Sequence, residues 1–123
     1  MMQIQTRVEK ALCASAFGRD FQFGVAIAAA QNEGAATVGG RSPSIWDAYA
    51  RRNGVIRKSA KPSVACDFYH RYKDDLLLVK ALGFPNFRFS ISWSRILPDG
   101  SGKPNAEGIK FYNDVIDECL LLG

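Results

Sequence analysis

The chain has 123 residues, a net charge of +4 and a globular composition, 47% hydrophobic and 23% charged. That length suffices for one domain with a core, but falls far short of the about 250 residues of a complete (β/α)-barrel. No apolar run approaches the roughly 20 residues that cross a bilayer, and no repeat or low-complexity tract is present.

Residues 1–20 read as a leader. Ala11 to Phe17 is a short apolar run behind Arg7 and Lys10, and Ala14-Ser15-Ala16 resembles a signal cleavage site. Glu9 interrupts the stretch that a signal peptide keeps basic, so a leader lying on the domain is the better reading.

Residues 21–123 form the domain. Phe21, Phe23, Val25 and Ile27 alternate with small residues at the strand period. Gly24, Ala26, Ala28, Ala29 and Ala30 leave room on both faces, as in a buried parallel strand. Gln31, Asn32 and Glu33 follow where the strand should end, and Gly34 breaks it. Polar groups at the carboxyl end of such a strand are where α/β folds place ligands. Pro43 to Arg52 suggests a short helix capped by Ser44, with Ile45, Trp46 and Tyr49 as its apolar side.

A second helix begins near Val64 with Ser63 as cap. Its apolar stripe is Phe68, Tyr72, Leu76, Val79 and Leu82, and Gly83 ends it. A second strand, Phe87 to Trp93, sets Phe87, Phe89, Ile91 and Trp93 on one face and Arg88, Ser90 and Ser92 on the other. Asn105 caps a last helix whose expected stripe is Ile109, Tyr112, Val115, Ile116, Cys119 and Leu120. Strand, helix, helix, strand, helix is the order of parallel βα units. Two such strands leave both sheet edges open, so the chain reads as interrupted at Gly123.

Arg51, Arg52, Arg57, Lys58 and Lys61 make a basic segment without interleaved aromatics, which reads as a solvated loop rather than a nucleic-acid site. Cys13, Cys66 and Cys119 are odd in number and widely spaced, which fits a reducing, cytoplasmic setting. Cys66 and Cys119 are expected as small core residues. With a single histidine, His70, no metal site is expected.

The segment F-Q-F-G-V-A-I-A-A-A-Q-N-E-G-A, Phe21 to Ala35, resembles the amino-terminal signature of glycoside hydrolase family 1, the β-glucosidase family. The resemblance continues in order through G-R-S-P-S-I-W-D at Gly40 to Asp47, A-C-D-F-Y-H-R-Y at Ala65 to Tyr72 and R-F-S-I-S-W-S-R-I-L-P at Arg88 to Pro98. Asn105, Gly108 and Tyr112 sit as in the family's next helix. It covers nearly all of the chain from Phe21 to Gly123 and leaves out residues 1–20.

The resemblance implies an α/β fold, an incomplete (β/α)8 TIM barrel containing its first two βα units. It also implies a retaining β-glycosidase that acts on a β-linked glucoside or related sugar without cofactor, metal, nucleic acid or membrane. Retaining enzymes need two carboxyl groups about 5 Å apart. Glu33 is the only acid at a strand end, but the matching family glutamate is structural. Both catalytic carboxylates would then lie beyond Gly123, and the isolated chain is expected to be inactive.

Gln31 matches the glutamine that binds glycone hydroxyls, a role suited to an amide that donates and accepts at once. Arg88 matches the arginine that faces the nucleophile and keeps it ionised. His70 reads as structural, and Trp46 and Trp93 as core rather than sugar platforms. Two departures stand out. Ala30 replaces a usual aromatic or other large residue, leaving a gap behind Gln31, and Phe68 replaces a frequent histidine. The alternative to an enzyme segment is a non-enzymatic module that self-associates or pairs with a partner through its open strands.

Overall fold

The computed structural model describes residues 14–56 and 62–123. Arg7, Glu9, Lys10 and Cys13 of the leader, and Arg57, Lys58 and Lys61 of the basic segment, lie outside the described residues. A 3-10 turn, Ala14–Phe17, leads into β1 (Gly24–Ala26) and the one-turn helix α1 (Ala29–Asn32). Then come α2 (Ile45–Ala50), α3 (Phe68–Ala81), β2 (Asn86–Arg88), α4 (Trp93–Ile96) and α5 (Ala106–Leu122).

The strands pair in parallel, with Gly24 opposite Asn86, Val25 opposite Phe87 and Ala26 opposite Arg88. The helices α3 and α5 cover one face of this pair. Phe68, Leu76, Phe111, Tyr112 and Val115 form the buried core, and Phe87 and Phe89 pack against it from the β2 side. The other face is uncovered among the described residues, so Gly24 and Ala26 are exposed. This is α/β architecture, and the expected burial of β1 on both sides is not met.

Both strands are shorter than the alternation implied. The alternation carries a strand through Ala28 to Ala30, yet alanine is the best helix former, and beyond the paired stretch Ala29–Asn32 turns helical. The second strand stops at Arg88, and Trp93 opens α4. Phe87 and Phe89 reach the core, but Ile91 and Trp93 are exposed, because the chain leaves the sheet before the period-two face can carry them there.

The start of α3 also differs. Ser63 does not cap it: Ala65 (φ 50°) and Asp67 (φ 57°) adopt left-handed backbone, and the helix begins only at Phe68. Its end follows the expectation. The Gly83 N–H donates to the Lys80 carbonyl and the Phe84 N–H to the Val79 carbonyl, which is a Schellman closure.

The apolar stripe of α5 is rotated from the expected one. Gly108, Phe111, Tyr112 and Val115 are buried, whereas Ile109, Ile116 and Leu120 are exposed. The cause is close approach at Gly108, whose missing side chain leaves room for the Arg95 carbonyl. With that contact fixed, Phe111 and Tyr112 turn inward. Ile109, Ile116 and Leu120 form a second apolar stripe without cover among the described residues.

Candidate functional site

The carboxyl ends of β1 and β2 open onto a cleft of about 830 Å³. Gln31, Trp46, Tyr49, Ser90, Ser92 and Trp93 are among its lining residues. Gln31 sits on α1 and is exposed. A four-residue helix has no cooperative stability of its own, so its placement depends on anchors. The Ala28 N–H donates to Asn32 Oδ1 at 3.1 Å, and the Ala29 N–H donates to Ser90 Oγ at 2.8 Å. Ala30 is half-buried and lines the same cleft.

Arg88 projects from the sheet face opposite the helices. Its neighbour Phe87 stacks on Phe68 at 6.1 Å on the covered side, and alternation sends Arg88 the other way. It is exposed and makes no side-chain hydrogen bond or ion pair among the described residues. It does not line the cleft that holds Gln31. The two expected site residues therefore share the carboxyl end of the sheet without touching.

Glu33 behaves differently. It is 3% exposed, and both of its oxygens are engaged. Arg95 Nε donates to Oε2 at 3.1 Å, and the Tyr112 hydroxyl donates to Oε1 at 2.5 Å. Arg95 is itself fully buried. Its guanidinium lies 4.4 Å from the Tyr69 ring centroid, and Nη1 donates to the Val38 carbonyl at 3.1 Å. Asn105 Nδ2 donates to the Gly39 carbonyl at 2.6 Å and to the Arg95 carbonyl at 3.0 Å. Tyr112 also accepts the Ser92 N–H at 2.7 Å. Burial, then the bond to Glu33, pushes the Tyr112 phenol well above its ordinary value. A carboxylate so enclosed holds loops together and is not presented to a substrate.

Arg95 is the residue that sequence reasoning missed. It lies within R-F-S-I-S-W-S-R-I-L-P, where no pattern assigns it a role. The available signal is an arginine set between Trp93 and Ile96-Leu97, which must find a partner if buried.

Around the cleft, α2 is fixed by a reciprocal capping box between Ser44 and Asp47. Arg41 Nη2 adds an ion pair to Asp47 at 2.8 Å. Burial raises the Asp47 pKa, but the hydrogen bonds from Ser44 and Arg41 outweigh it and leave the carboxyl below its usual range. Trp46 (59% exposed) and Trp93 (67%) are not core residues here, because the described residues supply nothing for that side of the cleft. Cys66 is exposed rather than buried, lying in the turn ahead of α3, while Cys119 is partly buried. His70 is exposed, outside the cleft, and bonded through Nδ1 to Asp67 at 2.7 Å. Arg51 and Arg52 are solvent-exposed. No helix among the described residues is long and apolar enough to cross a membrane.

The glycosyl hydrolase family 1 model matches residues 13–123. This chain belongs to glycosyl hydrolase family 1. The match begins at Cys13, so part of the segment read as a leader aligns with the family. The chain is 51% identical over 108 residues to beta-glucosidase 26 of Oryza sativa subsp. japonica, covering 88% of this chain and 21% of that protein. It is 48% identical over 104 residues to 6-phospho-beta-galactosidase of Clostridium acetobutylicum, covering 85% and 21%. Among solved structures, virulence factor SghA in complex with its substrate analog salicin superposes with a TM-score of 0.81 at 49% identity, over 85% of this chain and 23% of that one. The family 1 β-glucosidase from Thermotoga maritima gives 0.80 at 43% identity. The chain thus spans about a fifth of the length of these relatives. Its fold is a part of their TIM barrel, the first two βα units.

Proposed function

We propose that this chain is the amino-terminal part of a retaining β-glycosidase, in which Gln31 binds hydroxyls of the glycone and Arg88 faces the nucleophile carboxylate. The observation that carries this is the division of labour within Q-N-E-G. Gln31 lines the open cleft with its amide exposed, while Glu33 is buried and consumed by Arg95 and Tyr112. The first can meet a sugar; the second cannot serve as acid or nucleophile.

In this reading, the Gln31 amide donates to one hydroxyl and accepts from another. Arg88 supplies a fixed positive charge on the uncovered face, which would hold a facing carboxylate ionised. The two catalytic carboxyl groups come from elsewhere in the barrel, about 5 Å apart as retention requires. The substrate is a β-glucoside or related sugar, and no cofactor takes part. The odd number and wide spacing of Cys13, Cys66 and Cys119 are the basis for the cytoplasmic setting included in this proposal.

The test begins with the coding DNA past the codon for Gly123. A frame that continues and supplies two strand-end glutamates is expected. The completed chain should cleave an aryl β-glucoside, and Gln31→Ala should lower kcat/KM, while a mass-verified 123-residue chain should not turn over. Cleavage by the short chain, free of contaminants, would overturn the assignment of the catalytic pair.

A second reading is a non-enzymatic module that self-associates or pairs with a partner. The observation favouring it is the exposed apolar surface beside the sheet, with Ile45 79% and Trp93 67% exposed. Light scattering on the 123-residue chain separates the two, since a discrete ordered oligomer supports the module.

A further inference from the structure

We propose that Ser90 is a positioning residue: its hydroxyl holds α1, and with it the Gln31 amide, in register with the carboxyl end of β2. The functional sense of this placement rests on the glycone role proposed for Gln31. The physical case does not. A single helical turn forms one or two internal hydrogen bonds for several fixed residues, so it is unstable unless tethered. Its first backbone N–H groups have no partner within the helix. In α1 the Ala29 N–H meets Ser90 Oγ at 2.8 Å, across 61 residues of sequence. Just upstream the Ile27 N–H donates to the Arg88 carbonyl at 2.9 Å, and the Ser90 bond carries this attachment from the β2 side onto the helix itself.

The far end of α1 is held independently. Glu33, next after Asn32, is locked by Arg95 and Tyr112, and its carbonyl accepts the Tyr69 N–H at 3.0 Å. At the amino end the Asn32 side chain takes the Ala28 N–H and the Arg88 carbonyl takes the Ile27 N–H, but neither fixes the first helical residue to the β2 side. Ser90 closes the second clamp. Its hydroxyl lies in the wall of the same cleft as Gln31, so losing it frees the segment that carries the amide without touching the buried core. Ser90 makes no hydrogen bond to the Gln31 side chain and is not among the residues assigned to bind sugar, which separates positioning from binding.

The deciding experiment is hydrogen exchange by mass spectrometry on the 123-residue chain, comparing wild type with Ser90→Ala and Ser90→Thr. Removing one such hydrogen bond should raise exchange in residues 28–34 about fivefold. Exchange in α5 should stay unchanged, and threonine, which keeps the hydroxyl, should behave as wild type. Unchanged exchange at 28–34, or a uniform rise over the whole chain, would overturn the proposal. In the completed enzyme, Ser90→Ala and Gln31→Ala should be non-additive in kcat/KM, because the first acts through the second. Additive losses would also count against it. If the completed wild type hydrolyses no glycoside, the functional reading fails while the exchange result still judges the placement of α1.

Discussion

The Tyr112 hydroxyl and the Glu33 carboxylate meet at 2.5 Å in the buried centre of the molecule, although 79 residues separate them in sequence. Arg95 closes the group from the other side. One residue follows β1, one follows β2 and one belongs to α5, so the cluster ties the carboxyl ends of both strands to the helix that covers them. Buried polar groups of this kind gain little over apolar ones of the same shape, but removing one member leaves the others stranded.

Arg95→Met makes that asymmetry measurable. It leaves Glu33 buried without its cation, and breaking a buried pair costs about 3–5 kcal/mol. A small domain has about 5–15 kcal/mol in total, so the variant should unfold at much lower urea. A midpoint within the error of wild type would mean that Glu33 is solvated in solution and that the cluster does not hold the loops.

Tyr112→Phe tests the same cluster by pH. Burial, followed by the Glu33 bond, holds the phenol above its ordinary value of 10.0. The folded state therefore favours the neutral form, while the unfolded chain ionises near pH ~10. The stabilisation is full below that pH and is lost as pH rises toward the folded value. At pH 7 the variant should be less stable by about 1–3 kcal/mol, the cost of unsatisfied partners. Above pH ~10 wild type should lose stability faster, so the two curves approach one another. Parallel curves would show that the phenol is not held neutral by the fold.

Asp47 gives the opposite sign. Burial pushes its pKa up, yet the hydrogen bonds from Ser44 and Arg41 bring it net below 3.8. Its contribution is present above the ordinary value and is lost as pH falls through the folded one. In a Trp93→Phe background, Trp46 emission reports on α2. It should change as pH falls below about 4. Asp47→Asn should show the loosened signal already at pH 7, because it removes the Arg41 ion pair and weakens the box with Ser44. A variant indistinguishable from its parent at neutral pH would remove the capping box as the determinant of α2.

Much of this was legible beforehand because local signals are strong. Ser44 and Asn105 cap the helices they were expected to cap, and Gly83 closes α3. The parallel βα order follows from alternation and helical periodicity, and Gln31 lies at a strand's carboxyl end as anticipated. The misses have one origin in tertiary contact. Periodicity places Ile109 and Leu120 on an apolar stripe, but cannot say which of two stripes meets the core. That choice is made by Gly108 against the Arg95 carbonyl. Arg95 escaped notice for the same reason, since its partners come from other elements. The family positions of Trp46 and Trp93 imply core packing in a whole barrel, and the described residues do not provide their cover.

Gly108→Ala examines that choice of stripe directly. In an exposed helix interior this exchange stabilises by about 1 kcal/mol. Here the added Cβ would collide with the Arg95 carbonyl oxygen. The obstacle is backbone, and it cannot withdraw without disturbing the Asn105 bond to that carbonyl and the Arg95–Glu33 pair. The steric cost, about 1–3 kcal/mol for overpacking, should exceed the propensity gain and reverse its sign. Asn113→Ala, on the exposed side of α5, is the control and should stay within about 0.5 kcal/mol of wild type. Urea midpoints of the two variants decide the matter. A raised midpoint for Gly108→Ala would mean that α5 does not pack on α4 this closely, and the inward stripe would have to be assigned again from Ile109.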